Sequence, residues 1–248
     1  MLIALLLAAL FWLPRIALAV LAAAILAAAA AEWARLCRLS ALATGIYSAL
    51  IAAAFALLLA TGKAMLGFEA AAFFWIVVVP FWLTRGVRTE QRAALVASGF
   101  CVLVPAGLAL VALPPAQVLM VLVLVWIADT AAYFVGRKWG RRRLAPAISP
   151  GKSWEGAAGG LCGALAYAII LAAFTDRDAW AVAAAAAVLL AAISIVGDLF
   201  ESAAKRQAGV KDSGALLPGH GGILDRIDSA TATLPLAALL LPWMRANA

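Results

Sequence analysis

Three aspartates late in the chain, Asp198, Asp225 and Asp228, are the residues best suited to chemistry. Asp198 follows the apolar stretch 191–196 and Gly197, where a carboxylate is costly without a partner. If that helix continues, Asp198, Ser202 and Lys205 stand at i, i+4 and i+7. An acid, a hydroxyl and an ammonium then line one face. Asp225 and Asp228 are at i and i+3, just ahead of another apolar run, where the positive end of a helix dipole favours them. Converging carboxylates suit a hard divalent cation such as Mg²⁺, which completes its shell with phosphate oxygens and water. Helix capping accounts for one of Asp225 and Asp228, but not for both together with Asp198.

Around the acids lie groups suited to phosphate. Lys205, Arg206 and Lys211 supply positive charge, and Pro218-Gly219-His220-Gly221-Gly222 follows them. The glycines let backbone amides approach an anion closely. His220, the only histidine, is placed to donate to a phosphate or a leaving group. A second basic cluster, Arg137, Lys138 and Arg141 to Arg143, precedes Ser149-Pro150-Gly151-Lys152-Ser153-Trp154-Glu155-Gly156. Gly151-Lys152-Ser153 looks like the end of a P-loop, but Pro146 stands where that pattern needs its first glycine and no strand is expected before it. Lys152, flanked by Ser149 and Ser153, remains a phosphate-gripping candidate. Asp129 and Tyr133, at i and i+4, add a further semi-buried acid. No nucleophilic Ser-His-Asp arrangement is present, since the single histidine lacks a serine elbow.

These groups must be positioned by elements that live in lipid. The chain has 248 residues, 67% hydrophobic and 12% charged. Its mean hydropathy is +1.06. A soluble domain is about half apolar and about a quarter charged. No soluble fold of this size buries so much apolar surface, and ten-residue alternating segments are missing, so an outer-membrane barrel is excluded too. The expected fold is an all-α polytopic membrane bundle in one domain, 1–248, with 1–115 mainly scaffold and 116–248 carrying the motifs.

Apolar runs fall at 2–13, 16–31, 42–60, 69–83, 94–113, 117–136, 156–174, 180–199 and 230–243. That gives nine candidate transmembrane helices, or eight if the first two, divided at Pro14-Arg15, are one kinked span. Met1 to Leu13 lacks a basic n-region and a clear cleavage site and is not read as a removed signal peptide. Loops 32–41, 84–93, 137–155 and 200–229 hold fifteen of the 19 basic residues, against four on the other side. That bias places these loops in the cytoplasm whichever helix count holds. The net charge of +7 follows from the same loops and from anionic head groups, so no nucleic-acid partner is expected. Cys37, Cys101 and Cys162 have neither metal-ligand spacing nor an even count.

The segment Ser202 to Asp228 resembles the signature of the phosphatidate cytidylyltransferase family, the CDP-diacylglycerol synthases. The matching positions are Ser202, Lys205-Arg206, Lys211-Asp212, His220-Gly221-Gly222, Asp225-Arg226 and Asp228, all at the family's spacing. Gly197-Asp198, Asp129 to Tyr133 and Ile148 to Gly156 match further family motifs, so the resemblance covers the last half of the chain. It implies transfer of CMP from CTP to phosphatidate, giving CDP-diacylglycerol and pyrophosphate. It implies Mg²⁺, with a second cation such as K⁺, held by Asp198, Asp225 and Asp228. Asp198, Lys205, Asp225 and Asp228 are the implied catalytic residues, with Arg226 available to hold the aspartates by ion pairing. Lys152, Ser153, Ser202, Arg206, Lys211, His220, Gly221 and Gly222 are the implied phosphate-binding residues. A homodimer in the inner membrane with its active site facing the cytoplasm is also implied. A polyprenol kinase shares the acid-plus-cation chemistry but not this spacing. An anion transporter would place charges near mid-membrane, whereas here they gather at one side.

Overall fold

The computed structural model describes residues 2–174, 180–214 and 221–246. The chain is a helical bundle. In order, the long elements are α1 (Leu2–Trp12), α2 (Arg15–Leu36), α3 (Ala41–Ala60), α4 (Ala64–Phe73) and α5 (Val79–Arg85). They continue with α6 (Arg92–Ala112), α7 (Pro115–Trp139), α8 (Trp154–Phe174), α9 (Trp180–Ala208) and α10 (Leu224–Ala246). Among the described residues, seven stretches are long and apolar enough to cross a membrane: α2, α3, the continuous run Ala64–Arg85, and α6 to α9. Ile16, Leu42 and Phe174 are 81%, 76% and 84% exposed. In water such side chains would drive aggregation; in a bilayer they face acyl chains.

Local chemistry sets the element ends. Pro14 sits in extended backbone between α1 and α2 and has no N–H to continue a helix. The Ser40 side chain accepts the Ala43 N–H and starts α3. Several helices outrun their apolar runs at the polar end. α9 continues nine residues past 199, so Asp198 lies within the helix and not at its end. The expected run 69–83 begins at Ala64 and contains a π-helical turn, Phe74–Val78. Ion pairs, snorkelling stems and caps let helices persist where lipid gives way to water. The segment 137–155, expected as a loop, is the end of α7, a hairpin of β1 (Arg143–Ala145) and β2 (Ser149–Ser153), and the start of α8. The strands are antiparallel, pairing Arg143 with Ser153 and Ala145 with Ser149. A strand, β1, therefore does precede Gly151-Lys152-Ser153, contrary to the expectation, but the motif lies in the second strand of a hairpin and not in a P-loop.

Two contacts matter for the site. α8 lies tightly on α7 because its contact face is glycine. A Cβ at Gly159 would come within 2.6 Å of Val135 Cβ, and one at Gly156 within 2.9 Å of the Ala132 carbonyl oxygen. Close approach of small residues is how helices associate in lipid, where no hydrophobic force distinguishes helix from acyl chain. Phe200 of α9 is fully buried among Trp33, Phe74, Trp75 and Trp82, with ring centroids 5.4–6.0 Å away. This aromatic anchor fixes the rotation of α9 at the level of Asp198 and Glu201, and two of its partners come from the π-helical turn.

Candidate active site

The helical line on α9 forms as its spacing predicts. Ser202 Oγ donates to Asp198 Oδ1 at 3.2 Å. One turn on, Lys205 Nζ lies 3.2 Å from Glu201 Oε1 and donates to Asp225 Oδ1 at 2.7 Å. The hairpin supplies a second cation. Lys152 Nζ makes an ion pair with Asp198 Oδ2, closing β2 onto α9. This pair is partly open, with side chains 26% and 31% exposed, whereas Lys205 and Asp225 are 11% and 7% exposed.

Beside the Lys152–Asp198 pair opens a cavity of about 680 Å³ between α7, α8, α9 and the hairpin. Asp129, Tyr133, Arg137, Arg143, Lys152 and Asp198 line it. Arg137 also donates to the Tyr133 hydroxyl oxygen at 3.0 Å. The cavity combines two acids with three cations, a composition that accepts phosphate and a compensating cation together.

The three aspartates separate into two environments. Gly197 packs against the first turns of α10: a Cβ there would lie 2.8 Å from Ala232 Cβ and 3.0 Å from the Asp228 carbonyl oxygen. That approach brings Asp198 and Asp228 together. Burial, with the Asp198 carboxylate beside it, pushes the Asp228 carboxyl up to about 7. Asp228 precedes the apolar stretch 230–243 and accepts the Ser229 N–H at 2.7 Å. Asp225 is engaged elsewhere. Its Oδ1 accepts from Lys205, and its Oδ2 accepts the Ser213 and Gly222 N–H groups at 3.0 and 2.8 Å. Burial acts to raise the Asp225 carboxyl, but these donors outweigh it and leave the group below the usual carboxylate range.

Among the described residues no three His, Cys, Asp or Glu side chains gather as a metal-binding group. Of the three expected aspartates, Asp225 stands apart: its oxygens serve an ammonium and two amides. Asp198 and Asp228 do fit a cation. Each offers carboxylate oxygens, and Mg²⁺ characteristically takes one or two carboxylates and completes its shell with phosphate and water.

The other expected residues divide similarly. Ser153 lines the cavity, but it is 3% exposed and its Oγ accepts the Gly156 N–H at 3.1 Å, capping α8. Arg206 donates through Nε to the Ile148 carbonyl at 3.3 Å, tying the hairpin turn to α9. Lys211 is exposed. Arg226 is exposed and makes no ion pair among the described residues, so Lys205 and not Arg226 holds an aspartate. Gly221 adopts φ +81°, the left-handed region that favours glycine, and starts the turn that presents the Gly222 N–H to Asp225. His220 lies outside the described residues.

A profile of the cytidylyltransferase family matches residues 1–244. The chain belongs to this family. Cytidylyltransferase-family relatives include the phosphatidate cytidylyltransferase of Haemophilus influenzae, 54% identical over 125 residues, which are 47% of this chain and 42% of that protein. The phosphatidate cytidylyltransferase of Pseudomonas aeruginosa is 49% identical over 150 residues, 58% of this chain and 55% of that protein. That of Staphylococcus haemolyticus is 45% identical over 129 residues, 51% of this chain and 49% of that protein. The chain spans about half the length of the curated relatives it matches.

Sequence reasoning overlooked three groups that this family member brings to the site: Glu32, Glu201 and Ser213. Glu201 is 4% exposed and pairs with Lys205. Glu32 of α2 is fully buried, and its carboxylate receives Ser213 and the first amides of α10. The legible signal was a glutamate directly after seven residues of Ala-rich helix, ahead of Trp33-Ala34, with no turn residue to end the helix. Placing 32–41 as a loop hid it.

Proposed function

We propose that the chain is a phosphatidate cytidylyltransferase, transferring CMP from CTP to phosphatidate and releasing pyrophosphate, in phospholipid biosynthesis. The observation that carries this reading is the polar cavity at the helix ends, where Lys152 holds Asp198 and Arg137 and Arg143 face the same space. The names of the relatives point the same way.

A phosphatidate oxygen is already anionic, so attack on the α-phosphorus of CTP needs no strong base. One P–O bond forms there as the bond to the β-phosphate bridge breaks, and pyrophosphate leaves with the electron pair. The difficulty is bringing anions together and holding the departing charge. Lys152, Arg137 and Arg143 neutralise phosphate oxygens, and Tyr133 steers the Arg137 fork. Glu201 and Asp225 hold Lys205 in place, so its charge is spent on keeping α9 and α10 in register. Asp198 and Asp228 are the residues that would hold Mg²⁺, with K⁺ as a further cation nearby. Mg²⁺ bound there would supply charge neutralisation to the phosphates and the leaving group.

The same reading takes α10 as a crossing through 230–243, and α1 as joined to α2 at Pro14, for eight crossings in all. It places the basic loops, the hairpin and the cavity on the cytoplasmic side of the inner membrane, and it takes the working form as a homodimer. The test is incubation of purified protein in mild detergent with phosphatidate, Mg²⁺ and CTP labelled in the cytidine. Label is expected in the lipid phase, dependent on each component. No transfer from folded protein, with label from γ-phosphate appearing in lipid instead, would replace this reading with a lipid kinase.

A further inference from the structure

Glu32 is the most deeply buried charged side chain outside the cavity, with 0% exposure. It stands near the C-terminal end of α2, where the helix dipole disfavours a carboxylate. Among the described residues it makes no ion pair. Its partners are all donors from the signature segment. Oε1 accepts the Ile223 N–H at 3.0 Å, and Oε2 accepts the Leu224 N–H at 2.9 Å. The Ser213 hydroxyl lies 2.9 Å from Oε2. The carboxylate thus caps the N-terminus of a helix 191 residues away in sequence, where freed amides and the positive dipole end favour an anion.

The surroundings are shaped for this acid. A Cβ at Gly222 would lie 2.5 Å from Glu32 Oε2, and one at Gly214 2.6 Å from Oε1. Only glycine leaves room at either place. Ser213 connects the cap to the pairing network. Its N–H donates to Asp225 Oδ2 at 3.0 Å, and its hydroxyl also lies 3.0 Å from that oxygen. Asp225 in turn holds Lys205, which holds Glu201.

We infer that Glu32 is a positioning residue for the cytidylyl transfer: through Ser213 and the Ile223 and Leu224 amides it fixes the first turns of α10, and so aims Asp228 at Asp198. The inference rests on the function proposed above. It makes the N-terminal half of the chain a working part of the site. A truncated catalytic half, lacking α2, would leave the Ile223 and Leu224 amides buried without their acceptor.

The test uses the full chain in detergent, with Glu32→Gln, Glu32→Ala, Ser213→Ala and the Glu32→Gln/Ser213→Ala pair. Hydrogen exchange at the Ile223 and Leu224 amides and the kcat and KM for CTP are measured. In Glu32→Gln, exchange at both amides is expected to quicken at least tenfold. Its kcat is expected to fall at least tenfold while KM changes less than twofold. Ser213→Ala is expected to lower kcat less, and the pair to be no worse than Glu32→Gln alone. If Glu32→Ala does not fold, Ser213→Ala and the Gln variant carry the test. Unchanged exchange overturns the clamp whatever the activity. Quickened exchange with unchanged kcat overturns the positioning role and leaves a cap only. Absence of turnover in the unsubstituted protein removes the proposed function, while the exchange result still decides the clamp.

Discussion

Lys205 and Asp225, twenty residues apart, meet at 2.7 Å across the junction of α9 and α10, and the same ammonium lies 3.2 Å from Glu201 one turn back on its own helix. One cation balances two carboxylates where water is scarce. This pairing sets Asp225 apart from Asp228, which lies beside Asp198, the partner of Lys152.

Asp225→Asn strands Lys205 with Glu201 alone. Breaking a buried pair in this way costs about 3 kcal/mol. The variant is expected to melt measurably lower in detergent and to lose most turnover. Its pH response is also specific. The folded Asp225 carboxyl lies below its unfolded value of 3.8, so the stability it contributes is fully present above that value and is lost as pH falls through the lower folded one. Acid melts of the two proteins are expected to converge at low pH. Parallel curves throughout would refute the pairing.

Asp228→Asn removes a carboxyl pushed up by burial and by the Asp198 carboxylate beside it. The expected outcome is turnover below about a hundredth of the unsubstituted rate, with metal-free thermal stability equal or higher, since repulsion with Asp198 is relieved. Labelled-CTP transfer and a melt without Mg²⁺ check both halves. Activity near that of the unsubstituted protein would sink the assignment of Asp198 and Asp228 to the cation.

Lys152→Met breaks the ion pair that closes the hairpin onto α9 and removes a cation from the cavity. Charge-assisted hydrogen bonds are worth about 1.5–3 kcal/mol, so kcat/KM is expected to fall about ten- to hundredfold. Because the pair is partly exposed, the melting temperature should hardly move. A large loss of stability with little loss of rate would make Lys152 structural instead.

Gly222→Ala and Gly151→Ala form a contrast within the motifs. At Gly222 a Cβ would collide with the Ser213 hydroxyl and Glu32, and overpacking of this kind costs about 1–3 kcal/mol. At Gly151 a Cβ meets nothing within 4 Å. The first variant is expected to be destabilised and slow, the second to match the unsubstituted protein in melt and transfer assays. Equal behaviour of the two would show that Gly222 is not held against Glu32.

Apolar run length by itself determined that this chain is a helical membrane bundle, because lipid leaves a backbone no other way to satisfy its hydrogen bonds. Spacing along one helix likewise determined that Asp198, Ser202 and Lys205 share a face, since 3.6 residues per turn is a local rule. Only the tertiary structure decided what each acid does. Asp225 and Asp228 differ by three positions and look alike in sequence, yet one finds Lys205, Ser213 and Gly222, and the other finds Asp198. Those neighbours come from different helices, whose approach is set by glycine contacts such as Gly197 on α10 and Gly159 on α7. The same holds for Glu32, which reads as a loop residue until the burial of Trp33 and Phe200 carries α2 against α9 and brings its carboxylate to the start of α10. A carboxylate's role depends on which charges and donors stand within a few ångströms in a water-poor site, and one-dimensional spacing carries no information about partners almost two hundred residues away.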